Sequence, residues 1–227
     1  MTHRNNYLRF IAPVLLALFT LITFSTAHAA VVEKTISITQ ARTLPLGTVV
    51  TIDGSVTVPS GAFSSSTFDQ GFAIQDGTAG IYVSTANNLG FMQRQQVRVT
   101  GTLADTVLPG LLVLIDVTDV KSHGAGPKIQ PLPVSTGGVG ESTEGSIVHI
   151  SGTISQPIVN DLPFGFIIVV NDGSGDINVF VCASTGIDVS GLSQGQTIDV
   201  TGFSGQFADH FEVDPRSQGD IQVSSGG

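Results

Sequence analysis

Cysteine is almost missing from this chain: Cys182 stands alone, so no disulfide can form within it. It falls in an apolar alternation, where a lone cysteine reads as a small half-buried apolar residue. Stability must therefore come from packing and backbone pairing. Cations are scarce too, with 9 Lys and Arg against 18 Asp and Glu. The deficit is uneven. Residues 31–128 carry Lys34, Arg42, Arg94, Arg98, Lys121 and Lys128 against seven carboxylates, whereas beyond residue 128 only Arg216 opposes eleven. So acidic a second half excludes a chain that binds phosphate uniformly along its length. Sustained helical periodicity is absent after residue 30, and no apolar run there is long enough to span a bilayer. Catalytic signatures are lacking as well: there is no Gly-x-Ser-x-Gly, no His-Glu-x-x-His and no phosphate-binding glycine loop. Nothing pairs a nucleophile with a base, and the expectation is a non-enzyme. His123, His149 and His210 are scattered, without the spacing of a zinc site.

The first residues have a different character. Arg4 and Arg9 precede the apolar run from Ile11 to Phe24, and Ala27-His28-Ala29 follows. A positive start, a short apolar core and a small-x-small site predict a signal peptide over residues 1–29. The mature protein is then expected to be exported, to the periplasm or the extracellular space, with no membrane contact after cleavage.

What the chain does contain is a duplication. Gly47-Thr-Val-Val-Thr-Ile-Asp-Gly-Ser-Val-Thr57 is matched by Gly145-Ser-Ile-Val-His-Ile-Ser-Gly-Thr-Ile-Ser155. Each copy continues to an Asp-Gly turn, at Asp76-Gly77 and Asp172-Gly173, and then to a stretch ending in Thr-Gly, at 100–101 and 201–202. A repeat of this period means one domain built twice. The reading is a first domain over 30–124, a Pro/Gly-rich linker over 125–134 and an acidic second domain over 135–227.

Period-two alternation fills both copies. Val50, Ile52, Val56 and Val58 fall on one face, and Val148, Ile150 and Ile154 repeat the pattern. Asp-Gly between apolar runs marks a hairpin. Gly54 and Gly152, at the same place in each first strand, suit a bulge or sharp bend that lets a sheet close. Five strands per copy follow: 47–58, 70–76, 80–85, 96–104 and 111–119, then 145–156, 164–171, 176–183, 197–204 and 210–214.

A long bent first strand, the hairpin Gln75-Asp-Gly-Thr-Ala-Gly-Ile81 and a fourth strand reading Val97-Arg-Val-Thr-Gly101 together resemble the OB-fold. The hairpin looks like that of replication protein A and of the anticodon-binding domains of class II aminoacyl-tRNA synthetases. The whole unit is similar to OB modules of secreted bacterial proteins, some of which accompany extracellular nucleases. The resemblance implies an all-β chain of two five-stranded barrels. It also implies ligand binding on the outer face of strands two and three, flanked by the loops between strands one and two and between four and five.

On that basis Ile81 and Val83 point into the first barrel and Tyr82 points out; Val97 and Val99 point in and Arg98 points out. Phe63 and Phe68 lie on the polar loop between strands one and two. With Tyr82, Arg94 and Arg98 they would form a platform for single-stranded nucleic acid such as extracellular DNA, stacking bases and pairing phosphates. Alternatively the two phenylalanines fold back to plug the barrel mouth. In the second copy Asn178, Phe180 and Cys182 point outward. No cofactor is called for, although Asp172, Asp176, Asp209, Glu212 and Asp214 could together hold Ca²⁺ if they converge, or form a solvated acidic face if they do not. The competing expectation for the whole chain is an extracellular structural or adhesion module that self-associates or binds protein or glycan.

Overall fold

The computed structural model describes residues 34–66 and 68–224, so the predicted signal peptide over 1–29 lies outside the described residues. Strands β1 (Val49–Val58), β2 (Phe72–Gln75), β3 (Gly80–Val83), β4 (Gln95–Asp105) and β5 (Leu112–Ala125) close a barrel in the order β1-β2-β3-β5-β4. Every pairing is antiparallel except β3 with β5. The second copy repeats this. Strand β6 (Leu132–Pro133) precedes β7 (Ile147–Ile154), β8 (Val159–Asp161), β9 (Gly165–Asn171), β10 (Asp176–Cys182), β11 (Thr197–Phe207), β12 (His210–Asp214) and β13 (Ile221–Val223). Here β7-β9-β10-β12-β11 closes back onto β7, with β10 and β12 the parallel pair. Both barrels have OB-fold topology.

Gly54 and Gly152 show how closure works. A Cβ at Gly54 would lie 3.0 Å from the Ile74 Cβ on β2, and one at Gly152 would lie 2.9 Å from the Asn171 backbone on β9. Each glycine sits where the first strand leaves one neighbour and coils onto the other, as a curled sheet requires. The register shift itself falls later, between Val56 and Val58. It turns Val58 out of the first core, so the predicted common face of Val50, Ile52, Val56 and Val58 breaks at its last member.

Ahead of each barrel lies a short lead that the period-two reading missed. Helix α1 (Ile38–Arg42) starts at Ser37, and its Ile38 N–H donates to Asp76 Oδ2 at 2.9 Å. In the second copy the Thr136 N–H donates to Asp172 Oδ2 at 3.1 Å. The Asp-Gly hairpin is therefore a cap as well as a turn, and the repeat includes its lead. Within the predicted linker, Ala125 ends β5 and Leu132–Pro133 pair with β7, an edge position that accommodates proline.

Each barrel has its own apolar core, and a third cluster lies between them. Val58, Phe63, Ala73, Tyr82 and Val113 of the first copy pack there with Ile147 and Phe203 of the second. Polar contacts frame it. Arg42 Nη2 meets Glu144 Oε1 at 2.9 Å, Arg216 Nη1 donates to the Thr57 carbonyl at 3.0 Å, and Ser184 Oγ donates to the Ala62 carbonyl at 2.8 Å.

Candidate ligand cleft on the second barrel

Tyr82 leaves its barrel on the outward side, as alternation requires, yet it is fully buried. Phe203 covers it with ring centroids 6.1 Å apart, and Phe63 stacks on it at 6.2 Å and 15°. Its hydroxyl donates to Asp69 Oδ1 at 2.7 Å, and burial, then the Asp69 charge, pushes its pKa far up. The outer face of β2 and β3 is thus covered by the second barrel. That corrects the expectation of a stacking platform there: Phe63 and Tyr82 are interface core. Alternation reports the side a residue takes, not what packs against it.

The remaining members of the predicted platform are dispersed. Arg98 points outward, but Nε and Nη2 hold Asp53 Oδ1 and Oδ2 at 3.0 and 2.7 Å across the β1–β4 pairing. Arg94 is exposed at φ +68°, its backbone tied to Val56 and Gly126. Phe68 stays exposed, at 79%.

The equivalent face of the second barrel is open. A cleft of about 410 Å³ runs over the outer side of β9, β10 and β12, with Ile167, Asn178 and Phe180 on its floor. Its walls come from both copies. Phe68 and Leu108 belong to the first barrel's loops; Phe164 lies on the corresponding loop of the second, and Phe207 ends β11 at its hairpin with β12. Phe68, Phe164 and Phe207 are large apolar side chains left exposed at its rim. No Lys or Arg is among the described residues that line it, and His210 is the one imidazole there.

Glu212 and Asp214 also face this cleft, because Val213 between them enters the barrel core. Asp214 is 7% exposed, and its Oδ1 has no hydrogen-bond partner among the described residues. Burial pushes Glu212 up to about 7. Burial raises Asp214 well above the usual carboxylate range, and the Glu212 charge raises it further.

The carboxylates proposed for Ca²⁺ do not converge, which corrects that expectation. Asp172 accepts from Thr136 and Ser174, whose hydrogen bonds hold it well below the usual range, so its oxygens are committed to the cap. Asp176 accepts from Asn171 Nδ2 at 2.6 Å. The Asp209 side chain is 99% exposed, its Oδ1 only 3.4 Å from His210 Nδ1, while Glu212 and Asp214 sit in the cleft. Among the described residues no group of three or more His, Cys, Asp or Glu is placed to hold a metal ion.

Phe180 is visible in the sequence as an outward strand position. The acidity of the second copy hides it as a ligand contact, because phosphate pairing calls for cations that this copy lacks.

No protein-family model and no curated protein matches the chain. Among solved structures, a murine DNA-binding protein bound to double-stranded DNA aligns over 78% of this chain and 97% of its own, at 13% identity and a TM-score of 0.39. The structure of fission yeast Pot1 with single-stranded DNA aligns over 83% and 87%, at 11% and 0.35. The tetrameric p202 HIN2 aligns over 79% and 94%, at 14% and 0.36. All three are distant likenesses.

Proposed function

We propose that this protein is a non-enzymatic tandem OB-fold binding module that takes single-stranded nucleic acid into the cleft on its second barrel, bases inward and phosphates outward. One observation carries the reading: the second copy's OB ligand face is open and bordered by Phe68, Phe164, Phe180 and Phe207. Base–aromatic stacking contributes about 1–3 kcal/mol per base and tolerates any sequence. With the leader of residues 1–29 removed, the target would be DNA outside the cell.

The lining also sets this apart from ordinary phosphate-led binding. With no Lys or Arg among the described residues of the cleft, few counterions are released, and the formal net charge of −9 repels the strand. Affinity for a fluorescein-labelled dT nonamer, followed by anisotropy from 20 to 300 mM NaCl, should be flat or should rise with salt. A steep loss with salt would mean that phosphates dominate and that the cleft is not the site. Phe180→Ala should weaken binding roughly tenfold or more.

A second reading follows from the same lack of cations. Sugar rings stack on aromatic faces, and their hydroxyls would donate to Glu212 and Asp214, so a glycan also suits the lining. Binding of chitohexaose or cellohexaose with no binding of any oligonucleotide would favour it. Concentration-dependent sedimentation without either ligand would favour self-association.

A further inference from the structure

Glu212 and Asp214 lie two residues apart on one side of β12, at the floor of an apolar cleft with no lysine or arginine among the described residues that line it. Asp214 Oδ1 is buried with no donor among the described residues. A buried acceptor left unmade costs about 1–3 kcal/mol, and more when charged. The room around it is kept open by Gly205, which pairs with Glu212 across β11 and β12; a Cβ there would lie 3.0 Å from Asp214 Oδ2. Phe203, opposite Asp214 in the same pairing, supplies an aromatic wall beside the carboxyl. Asn178, opposite Glu212 on β10, adds an amide that can donate and accept.

We infer that Glu212 and Asp214 form a subsite for a nucleobase edge carrying adjacent N–H donors, with guanine the best match. This rests on the reading of the cleft as a base-binding site. The complement is stereochemical. A carboxylate offers two acceptor oxygens in one plane. Guanine presents N1–H and an N2 amino hydrogen side by side on one edge, so both can donate to a single carboxylate. Thymine and uracil present one N–H flanked by two carbonyls, which would meet carboxyl oxygens lone pair to lone pair. Cytosine and adenine offer one amino group and fall between. A site built to hydrogen-bond a donor discriminates strongly against the analogue that lacks it, because its buried groups are then left unpaired.

The carboxyls supply acceptors, and the ligand must bring the donors.

The test uses the full chain and three labelled nonamers: all-dT, dT with one central dG, and dT with one central dC. Anisotropy should give the dG probe at least tenfold tighter binding than all-dT, with dC between them. Asp214→Asn and Glu212→Gln should each bring dG affinity down toward that of all-dT. If either variant does not fold, the thermal shift of the unmodified chain with guanosine against thymidine replaces it, and only guanosine should stabilise. Equal affinity for all three probes would overturn the subsite and leave base stacking standing. No binding of any nonamer would instead remove the parent reading. Thermal stabilisation of the chain by spermidine, with none by guanosine, would also overturn the inference, since the pair would then be a site for an organic cation.

Discussion

Gly80 and Gly145 meet back to back across the two barrels, so close that a Cβ on either would collide with the carbonyl oxygen of the other. One belongs to the first copy's Asp-Gly hairpin and the other opens the second copy's repeat. Gly145 also holds φ +81°, where side chains are strained. Gly145→Ala should therefore lower stability by about 2 kcal/mol or more, through strain and separation of the barrels. Urea unfolding would show this as a lower midpoint, and ANS fluorescence would rise as the interface loosens.

Glu212 gives a pH dependence of known sign. Its folded pKa, about 7, lies above the ordinary value of 4.5, so the stability it contributes is complete below about 4.5 and is lost as pH rises through 7. Asp214 and Glu144 are also raised and act in the same direction. The Tm should fall by roughly 5 °C or more between pH 5 and pH 8. Glu212→Gln should flatten part of that slope. Asp76, Asp172, Asp188 and Asp199 are lowered, so their contribution is lost only on acidification and lies outside this window.

Arg98 and Phe180 separate the two copies as binding surfaces. Arg98→Asp places a like charge against Asp53 and should cost stability, yet it should leave oligonucleotide affinity within about twofold. Phe180→Ala should do the reverse. Anisotropy and thermal melts on both variants would check the pair, and a large affinity loss from Arg98→Asp would return the ligand to the first barrel.

Tyr82→Phe removes the donor that Asp69 accepts in a buried setting. A destabilisation of about 1–3 kcal/mol is expected from the loss of a buried hydrogen bond to a charged acceptor, although Ser65 and Gly71 still donate to Asp69. Phe203→Ala should cost about 3–5 kcal/mol through the cavity between the barrels. Differential scanning calorimetry of both variants would measure these losses.

Separate halves would each keep a closed barrel and its own apolar core, but would expose Tyr82 and Phe63 or Ile147 and Phe203. Each should unfold cooperatively at a lower temperature than the whole chain. Mixing the halves should restore part of the loss, as circular dichroism melts would show.

Both barrels were legible in the sequence because a half-buried strand writes its inner face at every second residue, and the Asp-Gly turns set the register. Strand ends were placed within a residue or two at most positions; β5 ran six residues longer, since its tail pairs with β4 and carries no apolar signal. The site was less legible. Tyr82 and Phe180 both point away from their own barrels, and local sequence does not distinguish the one that Phe203 covers from the one left open. That difference is tertiary. The acidic pair shows in the sequence as charge, but the burial of Asp214 beside Phe203 depends on two strands brought together by the fold.

Covering Tyr82 with Phe203 makes the duplication asymmetric in number. The chain has two barrels but one open OB face, so a titration should saturate at one strand per protein molecule. The avidity that arises when two linked modules grip one polymer has no second grip here. A long strand could still be occupied by many molecules, each acting as a single-handed reader along it.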